Sequence, residues 1–234
     1  MRRIARSLAL TLLLVLSTCA SKPEVAGDVA LTVFLDNDAT ATQREAVQQR
    51  LRSMPSVEGV ALETREQVHE RFKVDFKDQP DLLADLKPEY APELVHATVT
   101  DSLIAEAIEA VMTEVDGVDE VALRIADVDP RPSWIGIIVR LKSSATSEQR
   151  AAIQDAVRGL PHAKSVGFED RDAAYERLRK RCQGKGDLTA QLKPPMPHES
   201  WRFEHPLNGT GSGVSHLMDL DGVDGIKLVP VEML

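Results

Sequence analysis

Several stretches of this chain carry residue types and spacings that invite chemistry. "NGTGSGV" at Asn208–Val214 has the glycines of a phosphate-cradling loop, but such a loop needs Lys and then Ser or Thr after its last glycine, and Val214 and Ser215 follow instead. Ser212 is not set up as a nucleophile, because Thr210 stands where a nucleophile elbow requires its first glycine. His198, His205 and His216, with Glu199 and Glu204 between them, supply metal-ligating atoms at spacings that fit no zinc pattern. Acidic pairs such as Asp119-Glu120 and Glu169-Asp170 are expected by chance among 37 carboxylates, and they lack the flanking aromatics that would stack on sugar rings. These residues predict no catalytic centre, no metal site and no cofactor.

The two cysteines differ in setting. Arg2, Arg3 and Arg6 precede an apolar run, Leu8 to Leu16, that ends in "LSTC". A basic start followed by a short apolar stretch describes a secretory signal, here residues 1–18, and the run is well short of the roughly 20 residues that span a bilayer. "LSTC" is similar to a bacterial lipobox, which makes Cys19 the candidate lipidated residue and the membrane a partner through an N-terminal anchor. Thr18 departs from the small residue usual before that cysteine. The competing reading is cleavage after Ala20 and full secretion. Cys182 is then unpaired and reads as a small apolar filler.

Losing the three arginines of the signal takes the formal charge from −9 to −12. So acidic a domain argues against nucleic acid and against anionic lipid headgroups as partners. The remaining chain suffices for one large domain or two of roughly 100 residues.

Repetition decides between these. "DGVDEVAL" at Asp116–Leu123 returns as "DGVDGIKL" at Asp221–Leu228. Sliding the chain by 106 positions lays "ATATQR" (Ala39–Arg44) on "ATSEQR" (Ala145–Arg150), Glu70-Arg71 on Glu176-Arg177, and "LKP" at Leu86–Pro88 on "LKP" at Leu192–Pro194. One deletion after the second "LKP" makes the offset 105 for the rest. The chain is an internal duplication.

Each copy predicts the same elements. Val29, Leu31, Val33 and Leu35, like Ile135, Ile137, Val139 and Leu141, alternate as one face of a strand. Thr40-x-x-Gln43 and Thr146-x-x-Gln149 are capping-box starts for a helix with Val47, Leu51 and Met54, or Ile153, Val157 and Leu160, as its buried stripe. A second strand, a polar excursion (65–92 and 171–197), a third strand, a helix and a last strand follow. Gly117 and Gly222 are placed to end that helix in a left-handed conformation. The expected fold class is α+β: two tandem ferredoxin-like split βαβ sandwiches, each with an inserted, mostly helical lobe. The expected modules are 28–126 and 134–232, joined by a proline-bearing linker at 127–133.

The ordered combination of a "VFL" strand, "AT-x-x-Q", "PSVEGV", "DLL" and "DGV" resembles the extracellular domain of FtsX, the permease-like subunit of a bacterial cell-division transporter complex. The resemblance covers all of the first copy and, more weakly, the second. It implies a non-catalytic extracytoplasmic module whose inserted lobe holds a protein partner in the envelope, a peptidoglycan hydrolase or its activator. Carried onto this chain, the partner-binding residues are Phe72, Phe76, Leu83, Leu86 and Tyr90. The chain departs from the family pattern in doubling the ectodomain and in showing no membrane-spanning run beside either copy. In the second lobe the large apolar residues are Leu178, Cys182, Leu188, Leu192 and Met196, a weaker case for binding.

The sequence therefore points to an exported adaptor or regulator in cell division or cell-wall remodelling, held at the outer face of the bacterial cytoplasmic membrane. The alternative is a small-ligand-binding lipoprotein that uses the cleft between the modules. The anchor is tested by Cys19→Ser: the variant is expected in the medium, and its retention in the membrane fraction would exclude lipid on Cys19.

Overall fold

The alternation of the first strand becomes burial. In β1 (Val29–Leu35) the four odd-numbered apolar residues are buried and the residues between them half-exposed. The computed structural model describes residues 27–78, 87, 89, 91–127, 129–207 and 213–234. Cys19, Leu83, Leu86 and Tyr90 lie outside the described residues.

The first copy continues with α1 (Ala41–Arg52), β2 (Val57–Glu63), α2 (Arg65–Asp75), β3 (Leu94–Val99), α3 (Ala105–Met112) and β4 (Val118–Ile125). The second repeats it with β5 (Trp134–Leu141), α4 (Ser147–Arg158), β6 (Lys164–Glu169), α5 (Arg171–Arg181), the one-turn α6 (Leu188–Gln191), β7 (Ser200–Pro206) and β8 (Val223–Val229). At the place of α3 it has only a 3-10 turn, Val214–Asp219.

Thr40 and Gln43 close a reciprocal capping box on α1, and Thr146 and Gln149 do so on α4. Gly117 and Gly222 sit at φ of +87° and +94°. A Cβ at Gly117 would lie 2.9 Å from Cβ of Gln43, and one at Gly222 would lie 3.0 Å from Cβ of Gln149. The repeated "AT-x-x-Q" and "DGV" motifs are thus two sides of one contact: each glycine is required both for its backbone and for the capping glutamine beside it.

The strands form one sheet in the order β2-β3-β1-β4-β8-β5-β7-β6. Each half has the antiparallel order of a split βαβ sandwich, and the halves meet where β4 and β8 run parallel, at Arg124 and Leu228. Strand order mirrored about a parallel joint requires the second half to be turned over, so the copies place their helices on opposite faces. The cores agree. Ile135, Ile137, Val139 and Leu141 of β5 pack with Ile153 and Val157 of α4, while Ile138, from the other face of β5, joins the cluster of α1, α3 and β1.

That second face of the latter half is covered by α3 of the first half. Leu178, Cys182, Leu188 and Leu192 from the second lobe share its cluster. Lys185 reaches Asp101 at 2.8 Å, Arg50 bonds Gln191, and Glu232 accepts from the Gly27 amide at 2.6 Å, which ties the C-terminal turn to the start of β1.

Charge fixes where α3 sits. Glu106 accepts from Arg177 Nη1 at 2.9 Å and from both terminal nitrogens of Arg202, at 3.0 and 2.9 Å. One turn on, Glu109 accepts from Arg140 Nη1 at 2.8 Å and pairs with Lys227. Burial alone would raise the Glu106 pKa, but Arg202 and Arg177 outweigh it and hold that carboxyl well below the usual carboxylate range. Burial pushes the Lys227 ammonium down to about 8 against the pull of Glu106.

A carboxylate depressed in the folded state contributes stability that is complete above its unfolded pKa of 4.5 and is lost as pH falls toward the folded value. Glu106→Gln is therefore expected to cost about 3 kcal/mol at pH 7, since it leaves two buried guanidinium groups short of a counter-charge. In urea titrations the gap to the parent chain should narrow between pH 4.5 and pH 3. A gap independent of pH would show that Glu106 acts through packing alone.

Candidate functional site

The two inserted lobes begin with equivalent helices, α2 and α5, and present them differently. On α5, Ala174 and Leu178 are buried, and Cys182 at its end is fully buried. On α2, Val68 is buried with Ala91 and Leu94, and Phe34 and Phe72 pack partly against this small cluster. Phe76 caps α2, half-buried, and its ring stacks on that of Phe72 with centroids 5.4 Å apart and planes at 18°. The Arg71 guanidinium lies 5.7 Å from the centre of the Phe72 ring.

Of the five residues expected to meet a partner, the structure brings Phe72 and Phe76 together; Leu83, Leu86 and Tyr90 lie outside the described residues. Phe72 stabilises the lobe as well as showing an edge. Sequence reasoning missed Val74, which is 69 % exposed on α2. The signal was available: Val68, Phe72 and Phe76 recur at spacings of four, and Val74 falls off that stripe.

Behind α2, at the sheet, lies a polar triad. Arg71 grips Glu63 through two parallel bonds, Nε to Oε1 at 2.8 Å and Nη2 to Oε2 at 3.1 Å. His96 Nε2 lies 2.8 Å from Glu63 Oε2, and its Nδ1 lies 3.3 Å from Thr32 Oγ1. The hydrogen bonds from Arg71, reinforced by His96, hold the Glu63 carboxyl below its ordinary value despite partial burial. The same grip recurs between Arg177 and Glu169, with bonds of 2.6 and 2.8 Å.

The other candidate chemistry is dispersed. His198 Nε2 accepts from Arg140 Nη2 at 3.1 Å, and burial, with Arg140, lowers its pKa. His205 is buried on β7 beside the Pro206 carbonyl, while His216 is exposed, 3.8 Å from Asp219. Glu199 pairs with Arg150, and Glu204 accepts from Ser165. Among the described residues no three His, Cys, Asp or Glu side chains converge as a metal site would require. Cys182 is free and buried, and burial pushes its thiol up to about 11, far from a reactive thiolate. Trp201 is core, whereas Trp134 is half-buried under the Lys164 ammonium, 3.7 Å from its ring centre.

The cleft between the modules is filled by α3 and its ion pairs. Among the described residues smaller hollows remain along the joint: one of about 240 Å³ lined by Glu106, Glu109, Arg140, Met196, His198 and Lys227, and others of about 340 and 440 Å³. Small-molecule sites, at roughly 300–1,000 Å³, are mostly apolar. Here the charged groups are already engaged with one another, which suits a joint between modules better than a ligand pocket.

No helix among the described residues is long and apolar enough to cross a membrane. No curated protein matches the chain. A family model does: that of the FtsX extracellular domain matches residues 28–130 and again residues 135–227. The two matches fall on the two halves of the sheet and account for the α+β architecture. They mark an exported module related to cell division, of a kind that is in general non-catalytic. The chain belongs to the FtsX extracellular domain family, as two tandem copies with no permease domain evident.

Proposed function

We propose that this protein is a non-catalytic adaptor of the cell envelope that holds a protein partner, a peptidoglycan hydrolase or its activator, through the lobe of its first module. The observation that carries this reading is the opposite use of the two lobes. The second spends its apolar residues internally, with Leu178, Cys182, Leu188 and Leu192 all buried against α3. The first leaves Val74 exposed on α2, off the stripe that carries the half-buried Phe72–Phe76 stack. An exposed apolar side chain and a half-buried aromatic stack on one helix give a partner two places to bury apolar surface. The proposal also assigns Leu83, Leu86 and Tyr90 to partner binding.

A lipid on Cys19 would hold the adaptor at the outer face of the cytoplasmic membrane, where such a partner works. The second module then acts as a rigid mount, fixing the first lobe at a set orientation.

The test is in-cell crosslinking and affinity capture from the tagged full-length chain, compared with Val74→Asp and with Phe76→Ala. The parent chain is expected to recover a peptidoglycan hydrolase or its activator. Val74→Asp, at a site too exposed to unfold the lobe, is expected to lose at least tenfold of that recovery at an unchanged melting temperature. Equal recovery by both variants, or no cell-wall enzyme with the parent chain, would defeat the proposal.

A further inference from the structure

Because the two halves are turned over relative to each other, the face that α3 covers on the second half has a counterpart on the first. The positions correspond one to one. Arg177, Glu169 and Arg202, which frame Glu106, are matched by Arg71, Glu63 and His96. Both copies keep the two-bond grip of arginine on glutamate, and in both the third group lies across the strand pair from β1 or β5: His96 opposite Thr32, Arg202 opposite Ile138. In the second half this frame leaves Arg177 Nη1 free to meet the carboxylate of a helix. In the first half Arg71 Nη1 has a peripheral neighbour, the exposed Asp75 at 3.8 Å.

The segment that would reciprocate for the second copy does not. Its 3-10 turn, Val214–Asp219, packs Leu217 into its own half's core. Among the described residues the face is left as a groove of about 770 Å³, floored by Thr32, Phe34 and Ala122 and walled by Leu62, Arg71 and His96. Its lining also holds Glu63, which Arg71 grips, and Arg124 at the rim lies 3.8 Å from Asp127, so what this frame offers an incoming group is Arg71 Nη1.

We propose that this groove receives an α-helix of a partner protein that carries one carboxylate, seated at Arg71 Nη1 as Glu106 is seated at Arg177 Nη1, with an apolar residue three positions later. The second requirement comes from the floor. Arg140 and Lys227, which receive Glu109, are replaced here by Phe34 and Ala122. A second acid would be desolvated there with no counter-charge, whereas an apolar side chain would lie on the Phe34 ring. The mode is that of an amphipathic helix laid in a groove. Among the described residues the chain's own α3 is committed to the second half, and the occupant proposed here is a helix of another protein. This deepens the protein-binding reading above and rests on it, but it uses the sheet face rather than the lobe's Val74 and Phe76.

The probe is a fluorescent, lactam-bridged peptide of Ser102–Glu114 carrying Glu109→Leu, titrated with the exported chain and read by anisotropy. Saturable binding is expected. Arg71→Gln in the chain, or Glu106→Gln in the peptide, should each weaken it about tenfold. The peptide that retains Glu109 should bind more weakly than its leucine variant. The Val74→Asp chain should bind the peptide as the parent does, which separates failure of the groove from failure of the lobe. Absence of saturable binding, or equal affinity for the Arg71→Gln chain at an equal melting temperature, would overturn the proposal. So would sedimentation showing a dimer of the parent chain that Arg71→Gln dissociates, because the groove would then belong to a second copy.

Discussion

The architecture depends on two carboxylates of one short helix buried against the other half of the chain. Glu106 and Glu109 stand on the same side of α3 and enter a set of cations, Arg177, Arg202, Arg140 and Lys227, all contributed by the second module. Taking such groups out of water is costly, so the joint holds only in the arrangement where each charge finds its partner. An apolar contact between two sandwiches could slide; this one is registered. The single parallel register pair between β4 and β8 would be weak alone, and the buried ion pairs on the adjoining face keep the eight strands in one sheet.

Once the joint is fixed, the divergence of the copies follows. The second copy's lobe lies against α3 and has become part of the core, with leucines and a cysteine where the first lobe has phenylalanines: Leu178 for Phe72 and Cys182 for Phe76. Among the described residues the first lobe has no helix of the second copy to cover, because Val214–Asp219, at the α3 position, is a 3-10 turn. The duplicated module thus uses its two lobes differently: the second is packed on α3, and the first leaves Val74 exposed. The adaptor proposed above uses this difference, with the second module as a stiff mount and the first lobe meeting the partner.

What was legible in the sequence was local. The period-two strands, the capping boxes and the left-handed glycines are set by neighbours within a few residues, and they emerged as read. The contact between Gln43 and Gly117, though distant in sequence, explains why those two motifs recur together. The inverted joint was not legible. Glu106 and Glu109 on a helix surface look like an ordinary solvated face, and only the opposite half of the chain makes them buried. A hint existed in "WIGIIVRL" of β5: where β1 has Thr32 between its apolar positions, β5 has Ile138, and a strand apolar on both sides is covered on both faces. The lobe was legible as an insertion, but the exposure of Val74 and the grip of Arg71 on Glu63 depend on how α2 docks on the sheet.

The central claim, that the copies form one cooperative body, is tested most directly by unfolding the exported chain in urea with two probes. Both tryptophans, Trp134 and Trp201, belong to the second half, so fluorescence reports that half alone, whereas far-UV circular dichroism reports the helices of both. The account predicts coincident single transitions with the same midpoint and slope. A fluorescence transition displaced from the circular dichroism transition would show two modules unfolding independently and would contradict the buried ionic joint as the constraint that unites them.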